Sequence, residues 1–469
     1  MKKTVFTEGD DGIKLVLHGR GPKRRPAKMP RSISHREPIH VIYGGAHLYS
    51  SDTPSKLARI ALKTLDTYVG DHLEFAAAMD IPECRSLPKK AAEADALERA
   101  LLKESEGLRE ENFPAWLASQ VYRRTKKKLE IEPIEDLRID FEDGYGTRDD
   151  DEEDLHAERA SQELAASLEA GTSPLFTGIR VKPYSNSTRA RAKRTLRIFL
   201  RTLTEITGGT LPDNFLVTLP KVTDKKDVAS LERDLRKIEK ELGLGSGRIG
   251  IEIMVEHPSA LFDRKGNFHL RSIVDAARDR CVAAHFGAYD YTASLGIVAS
   301  EQNLDHPSCD LARNLMLAAL RPAGIRLSDS VTATLPVALH KDGRMTNEKI
   351  AANKAAVFEG WRLHFSNVTR SLANGFFQSW DLHPNQLVAR YGAVYRFFLI
   401  SAEAQGRRLQ RFIGSASQAT LTGTAFDDAA TAAGIVNFFR RGLYCGALNE
   451  EDVTRATGMT PDKLNSIVL

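Results

Sequence analysis

The sequence predicts an α/β protein whose main domain is a (β/α)8 TIM barrel with helical insertions and a C-terminal helical lid. Two observations support this fold class. Short apolar runs of strand character alternate with amphipathic helical stretches over most of the 469 residues. Eight such runs in alternation with helices favour a closed barrel over an open doubly wound sheet. The runs cover residues 39–43, 137–141, 178–181, 215–220, 250–256, 282–286, 331–339 and 376–382.

Helices are predicted between the strand-like runs. In the stretch 224–242 apolar residues recur every three or four positions, which places them on one helical face. They are Val228, Leu231, Leu235 and Ile238. From about residue 391 the pattern is helical to the end. We therefore divide the chain into a basic N-terminal tail (1–36), a barrel (37–390) with a helical insertion around 85–130, and a C-terminal helical lid or oligomerisation segment (391–469).

Composition and charge exclude several classes of protein. The chain is 42% hydrophobic and 27% charged, with a net charge of +4, which is ordinary for a globular protein. Much of the excess positive charge lies in the N-terminal tail, but no nucleic-acid-binding motif follows it. The 4 cysteines are scattered, no apolar run is long enough to span a membrane, and the N-terminus lacks a secretory signal. We expect a cytoplasmic protein that binds neither nucleic acid nor membranes.

Two carboxylates follow neighbouring strand-like runs. Glu256 ends the run 250–256, and Asp290 lies just beyond the run 282–286. If the two strands are adjacent in a parallel sheet, their axes are roughly 4.8 Å apart. One such carboxylate alone is more commonly the cap of a following helix, but a pair can share a hard cation. Mg²⁺ suits such a site, because it takes one or two carboxylates and completes its coordination with water and substrate oxygens.

Further acidic and basic residues follow other predicted strands. Glu142 and Asp143 end the second strand, Arg180 lies in the third, Lys221 follows the fourth, and His383 follows the eighth. The active site of a (β/α)8 barrel lies at the carboxyl ends of its strands. A structural protein would gain nothing from removing so many charges from water together. The pattern therefore predicts an active site at this rim.

The motifs at these strand ends resemble those of the HpcH/HpaI aldolase and citrate lyase β-subunit superfamily. In order they are Asp-x-Glu-Asp, Arg-Val, Leu-Pro-Lys, Phe-Gly-Ala-x-Asp-x-x-Ala-x-Leu-Gly and His-Pro-x-Gln. The resemblance covers about residues 39–387, and the segment 286–296 is its most specific part. The superfamily includes malyl-CoA lyase-like and citramalyl-CoA lyase-like enzymes, and this chain resembles an enlarged, divergent member.

The resemblance implies a metal-dependent carbon–carbon lyase or aldolase. Such an enzyme acts through a metal-stabilised enolate on a 2-oxo acid or a hydroxyacyl substrate, coenzyme A thioesters included. Glu256 and Asp290 correspond to the ligands of Mg²⁺ or Mn²⁺, and Arg180 to the arginine that holds the substrate carboxylate and the enolate oxygen. Glu142 and Asp143 correspond to the family's acidic pair.

The remaining site residues are expected from the same motifs. Besides Arg180, the expected substrate-binding residues are Glu142, Asp143, Lys221, Gly287, Ala288 and His383. The stretch 423–428 resembles the segment that reaches a neighbouring subunit's site in the lyase branch, and Asp427 is its expected catalytic acid or base. His383 serves as a base or orders the loop before Pro384, and we favour the structural role.

The C-terminal helices carry more apolar residues than an exposed helix pair can bear. These are Phe397, Phe398, Leu399, Ile400, Ile435, Phe438 and Phe439. Because the outside of a barrel is already covered by its own helices, a neighbouring subunit is a natural partner for them. We therefore expect a homo-oligomer.

Other functions remain open from the sequence. Tyr289 precedes Asp290 where the lyase branch often has an acid, which leaves the substrate and the involvement of coenzyme A undecided. Lys221 could serve instead as a Schiff-base nucleophile, if its neighbours lowered the pKa of its amine. The alternative classes are a phosphoenolpyruvate- or pyruvate-handling phosphotransferase and a non-catalytic or regulatory oxo-acid-binding barrel. The former would need a catalytic histidine or a nucleotide loop, and the sequence offers no motif for either.

Overall fold

The structure is a computed structural model that describes residues 5–9, 12–16, 36–87, 107–418 and 429–467. The predicted acid or base Asp427 and its stretch 423–428 lie outside the described residues. So do most of the basic tail and residues 88–106 of the helical insertion.

Eight parallel strands close into a barrel, which confirms the predicted fold class. An antiparallel hairpin of β1 (Val5–Gly9) and β2 (Gly12–Val16) precedes them. The barrel strands are β3 (His40–Gly45), β4 (Asp136–Asp140), β5 (Phe176–Arg180), β6 (Asn214–Leu219), β7 (Gly250–Val255), β8 (Cys281–Phe286), β9 (Arg326–Val331) and β10 (Gln378–Asp381). They pair in chain order, and β10 closes the barrel by pairing with β3.

The predicted strand at 331–339 is wrong in position. The strand is β9, which ends at Val331, and the apolar run beyond it is a loop. Pro336 in this run has no N–H to donate to a strand neighbour, and its carbonyl accepts a 2.8 Å hydrogen bond from Asn385 Nδ2. A Cβ on Gly360 would lie 2.7 Å from Pro336 Cα, so the loop lies directly on the helix Asn347–Ala373.

The chain divides into two compact units. One unit comprises Lys28–Asp80 and Lys126–Arg390 and contains the barrel strands. The helices wholly within it are Thr53–Tyr68, His72–Met79, Asp150–Glu169, Arg189–Ile206, Lys225–Glu241, Leu270–Asp275, Ala288–Ser294, Pro307–Leu320 and Asn347–Ala373. The other unit comprises Met1–Ala27, Ile81–Thr125 and Tyr391–Leu469.

Helices dominate the second unit in its described part. Two long helices, Phe113–Ile131 and Gln386–Gln418, have residues in both units. The shorter helices of this unit are Gly107–Glu111, Ala429–Tyr444, Glu450–Thr457 and Pro461–Asn465. None of the helices in the described ranges combines the length and apolar character needed to cross a bilayer.

The helix Lys225–Glu241 forms as its sequence pattern predicts. Asp224 caps its first turn, and the side chain of Asp227 bonds back to the backbone of Asp224 in a capping box. The four apolar residues of the predicted face are all buried, at 0–2% exposure. Burial of that face fixes the helix on the outside of the barrel unit.

Five of the seven C-terminal apolar residues are buried within the chain itself, and Phe397 and Ile400 are half-buried. Phe398 and Phe439 are fully buried, and Ile435 is 3% exposed. The rings of Phe398 and Phe438 pack with centroids 4.8 Å apart. We argued from the sequence that these residues need a neighbouring subunit to cover them, but the five buried residues do not. The homo-oligomer stays a prediction without that support.

The barrel interior is polar, which the sequence analysis did not anticipate. Arg138 on β4 contacts Glu252 on β7, with Nη2 and Oε2 3.1 Å apart. These strands are not neighbours in the sheet, so the pair crosses the interior. The hydroxyl of Thr218 donates to the same glutamate at 2.6 Å. Both members of the ion pair are at most 1% exposed, and buried charges of this kind must be paired.

Candidate active site

The predicted site residues that fall within the described ranges end or follow strands of the barrel, at its carboxyl rim. Asp140 and Arg180 are the last residues of β4 and β5, and the two are register partners. Lys221 follows β6, and Glu256 directly follows β7. Because the strands are parallel, these ends meet at one edge of the barrel.

Arg180 is buried and held by a carboxylate that the sequence analysis left without a role. Its Nε donates to Asp140 Oδ1 at 2.7 Å and its Nη2 to Asp140 Oδ2 at 2.5 Å. The remaining nitrogen, Nη1, lies 3.1 Å from Glu142 Oε2. Burial alone would lower the pKa of Arg180, but Asp140 and Glu142 raise it above its usual value, so the charge is permanent. One edge of the guanidinium is thus fixed, and the Nη1 edge is the one directed at the acidic pair.

Lys221 links the acidic pair to Glu256. Its Nζ donates to Glu142 Oε1 at 2.6 Å and to Asp143 Oδ1 at 3.0 Å. Its backbone N–H donates to Glu256 Oε1 at 2.5 Å. Partial burial works to lower the pKa of Lys221, but the hydrogen bonds to Glu142 and Asp143 raise it well above the usual value. A Schiff-base nucleophile needs a neutral amine, so these contacts argue against that alternative.

The environment shifts the pKa values of Glu142 and Asp143 in opposite directions. Burial raises the pKa of Glu142 above its usual value, against the influence of Arg180 and Lys221. Burial has the same tendency at Asp143, but hydrogen bonds with Glu142 and Lys221 outweigh it and lower the pKa of Asp143. Glu142 is therefore the member of the pair better suited to hold a proton.

Glu256 is a buried carboxylate of the predicted metal pair, only 4% exposed. Burial raises its pKa to about 8, the Lys221 N–H lowers it in part, and the negative charge of Asp290 raises it further. A Cβ on Gly287 would lie 2.4 Å from Glu256 Cβ and 2.8 Å from Oε2. Only glycine fits at this point, so Gly287 is explained by its packing against Glu256.

Asp290 lies in the first turn of the helix Ala288–Ser294 and is exposed. The strands that precede it and Glu256, β8 and β7, are neighbours as predicted. Ala288 is buried, and its N–H donates to Ser330 Oγ at 3.0 Å, which fixes the start of the helix. Within the described ranges, no group of three or more His, Cys, Asp and Glu side chains could hold a metal ion. The fit of a metal therefore depends on this two-carboxylate set.

The segment that follows β10 is ordered by hydrogen bonds within its own loop. The Nδ1 of His383 accepts the N–H of Asn385 at 3.1 Å, and burial lowers the pKa of His383. Gln386 Oε1 accepts the N–H of Leu382 at 2.8 Å. These contacts favour the loop-ordering role of His383. Asp381 Oδ1 lies 2.6 Å from Arg390 Nη2 in a fully buried ion pair. Arg390 belongs to the helix Gln386–Gln418, so Asp381 is engaged by a helix.

Three residues of the site carried no role in the sequence analysis: Asp140, Tyr43 and Trp380. Asp140 belongs to an alternation of charged residues in 136–142, a period of two that marks one face of a strand. That signal could have placed its side chain inside the barrel mouth. The rings of Tyr43 and Trp380 lie beside Arg180, and no local pattern indicates this.

Comparison with known proteins agrees with the fold and the motifs. The citrate lyase subunit beta of Escherichia coli (strain K12) is 29% identical over 116 residues, which cover 25% of this chain and 35% of that protein. The match thus spans about a third of that relative's length. A citrate lyase structure from Burkholderia xenovorans LB400 superposes with a TM-score of 0.51 at 18% identity, covering 71% of this chain and 91% of the other.

A third structure is the citrate lyase beta subunit of Mycobacterium tuberculosis complexed with oxaloacetate and magnesium. Its TM-score is 0.35 at 19% identity, covering 58% of this chain and 92% of that one. The motif order and the match to the E. coli subunit support the resemblance to the HpcH/HpaI aldolase and citrate lyase β-subunit superfamily, and the barrel agrees with it. The chain belongs to the family of the domain of unknown function DUF6986, whose model matches residues 23–468.

Proposed function

We propose that this protein is a Mg²⁺- or Mn²⁺-dependent carbon–carbon lyase or aldolase acting on a 2-oxo acid or a hydroxyacyl substrate. One observation carries the proposal. The rim holds both a fixed cationic donor, Arg180, and a buried carboxylate, Glu256. The partner of Glu256 in the predicted metal pair, Asp290, follows the adjacent strand. The relative from E. coli, a citrate lyase subunit, supports the reaction class.

The residues present fit a hard divalent cation. The carboxylates of this rim outnumber the cations Arg180 and Lys221. They are Asp140, Glu142, Asp143, Glu256 and Asp290. The pKa of Glu256 is raised because the carboxylate is buried and no cationic side chain in the described ranges is bonded to it. Glu256 and Asp290 would hold the cation, and Mg²⁺ accepts such a set because it keeps several water ligands.

When bound, the cation would supply a Lewis acid for the charge that develops on the substrate carbonyl oxygen. Arg180 offers its Nη1 edge to a substrate anion, and that anion would take the place of Glu142, now 3.1 Å away. Lys221 stays protonated and binds by charge, through an Nζ already shared by the acidic pair. The acid or base role of Asp427 remains a prediction from the family resemblance.

The test is a search for Mg²⁺-dependent product release. Purified protein would be incubated with a panel of 2-hydroxy acids, their coenzyme A thioesters and 4-carbon oxo acids, and pyruvate, glyoxylate and acyl products would be quantified. We expect release from at least one substrate class that stops with EDTA and is much slower in Arg180→Lys. A protein that binds Mg²⁺ and an oxo acid but releases no product would instead be the non-catalytic binding barrel.

A further inference from the structure

Two aromatic rings lie against the guanidinium of Arg180. The Arg180 Cζ is 4.8 Å from the ring centroid of Tyr43 and 5.4 Å from that of Trp380. The two rings also contact each other, with centroids 4.2 Å apart and planes inclined by 40°. These distances are within the range of cation–π attraction, which is strongest where the cation is removed from water. Asp140 therefore fixes one edge of the guanidinium, and the rings support it from a different direction.

The ring of Tyr43 is anchored from inside the barrel. Its hydroxyl lies 2.9 Å from His285 Nδ1 and donates to Glu252 Oε1 at 3.3 Å. Glu252 is in turn 3.1 Å from both His285 Nε2 and Arg138 Nη2. Burial raises the pKa of Tyr43 above its usual value, and Glu252 adds to this. The phenol thus remains a hydrogen-bond donor to this buried network.

We propose that Tyr43 is a positioning residue for Arg180. Its ring supports the guanidinium, and its hydroxyl sets the orientation of that ring through His285 and Glu252. The polar interior of the barrel would then determine how Arg180 meets a substrate anion at the rim. The link to substrate rests on the proposed function, whereas the link from Tyr43 to Arg180 is a property of the protein alone.

The first experiment needs no ligand. The Nε–H of Arg180 is buried against Asp140, so its nuclear magnetic resonance signal should exchange slowly with water, and Arg180→Lys identifies the signal by removing it. In Tyr43→Leu we expect this exchange to be about tenfold faster, as loss of a desolvated cation–π contact implies. Tyr43→Phe keeps the ring without its anchor and should lie between the two.

Tyr49→Leu is the matched control, because Tyr49 is another tyrosine of the barrel unit, is 2% exposed, and has no place in the site. It should leave the exchange of the Arg180 Nε–H unchanged. Unchanged exchange in Tyr43→Leu would overturn the proposal. If that variant does not fold, Tyr43→Phe decides: exchange as slow as in the unaltered protein would overturn the role assigned to the hydroxyl.

A second experiment connects Tyr43 to ligand binding. Calorimetry with oxaloacetate in the presence of Mg²⁺ should show about tenfold weaker oxaloacetate binding in Tyr43→Leu, with Mg²⁺ affinity unchanged. Equal oxaloacetate affinity would refute the link to substrate. If the unaltered protein binds neither Mg²⁺ nor oxaloacetate, the proposed function fails, and the exchange measurement still decides whether Tyr43 positions Arg180.

Discussion

The backbone N–H of Lys221 donates to Glu256 Oε1 at 2.5 Å while Lys221 adopts a left-handed conformation, with φ of 51°. A side chain with a Cβ is unfavourable in this region, and such strain concentrates at functional sites. The conformation is held from both ends of the residue, because Nζ bonds to Glu142 and Asp143. Lys221 thus connects the predicted metal carboxylate with the acidic pair.

This strain gives a prediction for stability. Lys221→Gly and Lys221→Ala both lose the ammonium group, but only alanine keeps a Cβ in the left-handed conformation. We expect Lys221→Gly to be more stable than Lys221→Ala by about 1 kcal/mol, as measured by urea unfolding. Equal stability of the two variants would show that the left-handed conformation at this position carries no strain.

Metal binding should depend on both carboxylates of the pair. Glu256→Gln and Asp290→Asn each remove one anionic oxygen ligand, so calorimetry should show that Mg²⁺ affinity falls at least tenfold in each. Asp275→Asn is a suitable control, because Asp275 is an exposed carboxylate at the end of another short helix, Leu270–Asp275. Unchanged Mg²⁺ affinity in both site variants would remove the metal assignment.

Arg180 should be required for the chemical step rather than for the fold. Lysine keeps the charge but cannot make the two-nitrogen contact with Asp140. Once a substrate is known, Arg180→Lys should lower the rate by roughly 10²–10³-fold, as for loss of one transition-state donor. Arg197→Lys, at an exposed position on the helix Arg189–Ile206, should keep the original rate. A full rate in Arg180→Lys would contradict the role.

Acid stability should depend on Glu135. Burial works to raise its pKa, but Lys128 and Arg36 outweigh burial and lower it to about 2. A carboxylate with a lowered pKa stabilises the fold above its unfolded pKa of about 4.5, and this contribution is lost as the pH falls towards 2. The difference between the unfolded and folded pKa values of Glu135 corresponds to about 3 kcal/mol of stability. Urea unfolding between pH 5 and 2.5 should show a weaker pH dependence in Glu135→Gln, whereas exposed Glu130→Gln should resemble the unaltered protein.

The sequence predicted the strands best where they carry continuous apolar runs. β9 was misplaced because its sequence is polar: Asp329 in this strand is buried by contacts with Arg313 and Ser371, which lie on separate helices. No window of sequence contains such partners. The apolar run that follows β9 has the composition of a strand, but Pro336 interrupts it.

The site residues, too, were predictable only where local sequence places them. The motifs placed Arg180 and Glu256 at the rim because these residues lie at the ends of recognisable strands. The role of Asp140 depends on strand pairing with β5, 40 residues further along. The conformation of Lys221 depends on Glu256, which is 35 residues away. Such relations are set by the closed barrel and are absent from local spacing.

The last prediction separates metal-dependent chemistry from a Schiff-base mechanism. A neutral lysine amine forms an imine with pyruvate, and borohydride then fixes the adduct to the protein. Because two carboxylates hold Lys221 as an ammonium ion, we expect no pyruvate adduct at Lys221 by mass spectrometry after borohydride treatment. Glu142→Gln removes one of these carboxylates, so it should increase labelling relative to the unaltered protein. Stoichiometric labelling of Lys221 in the unaltered protein would reverse the mechanistic assignment. The lysine would then hold the electrophile, and the carboxylates of the rim would serve only to tune the pKa of Lys221.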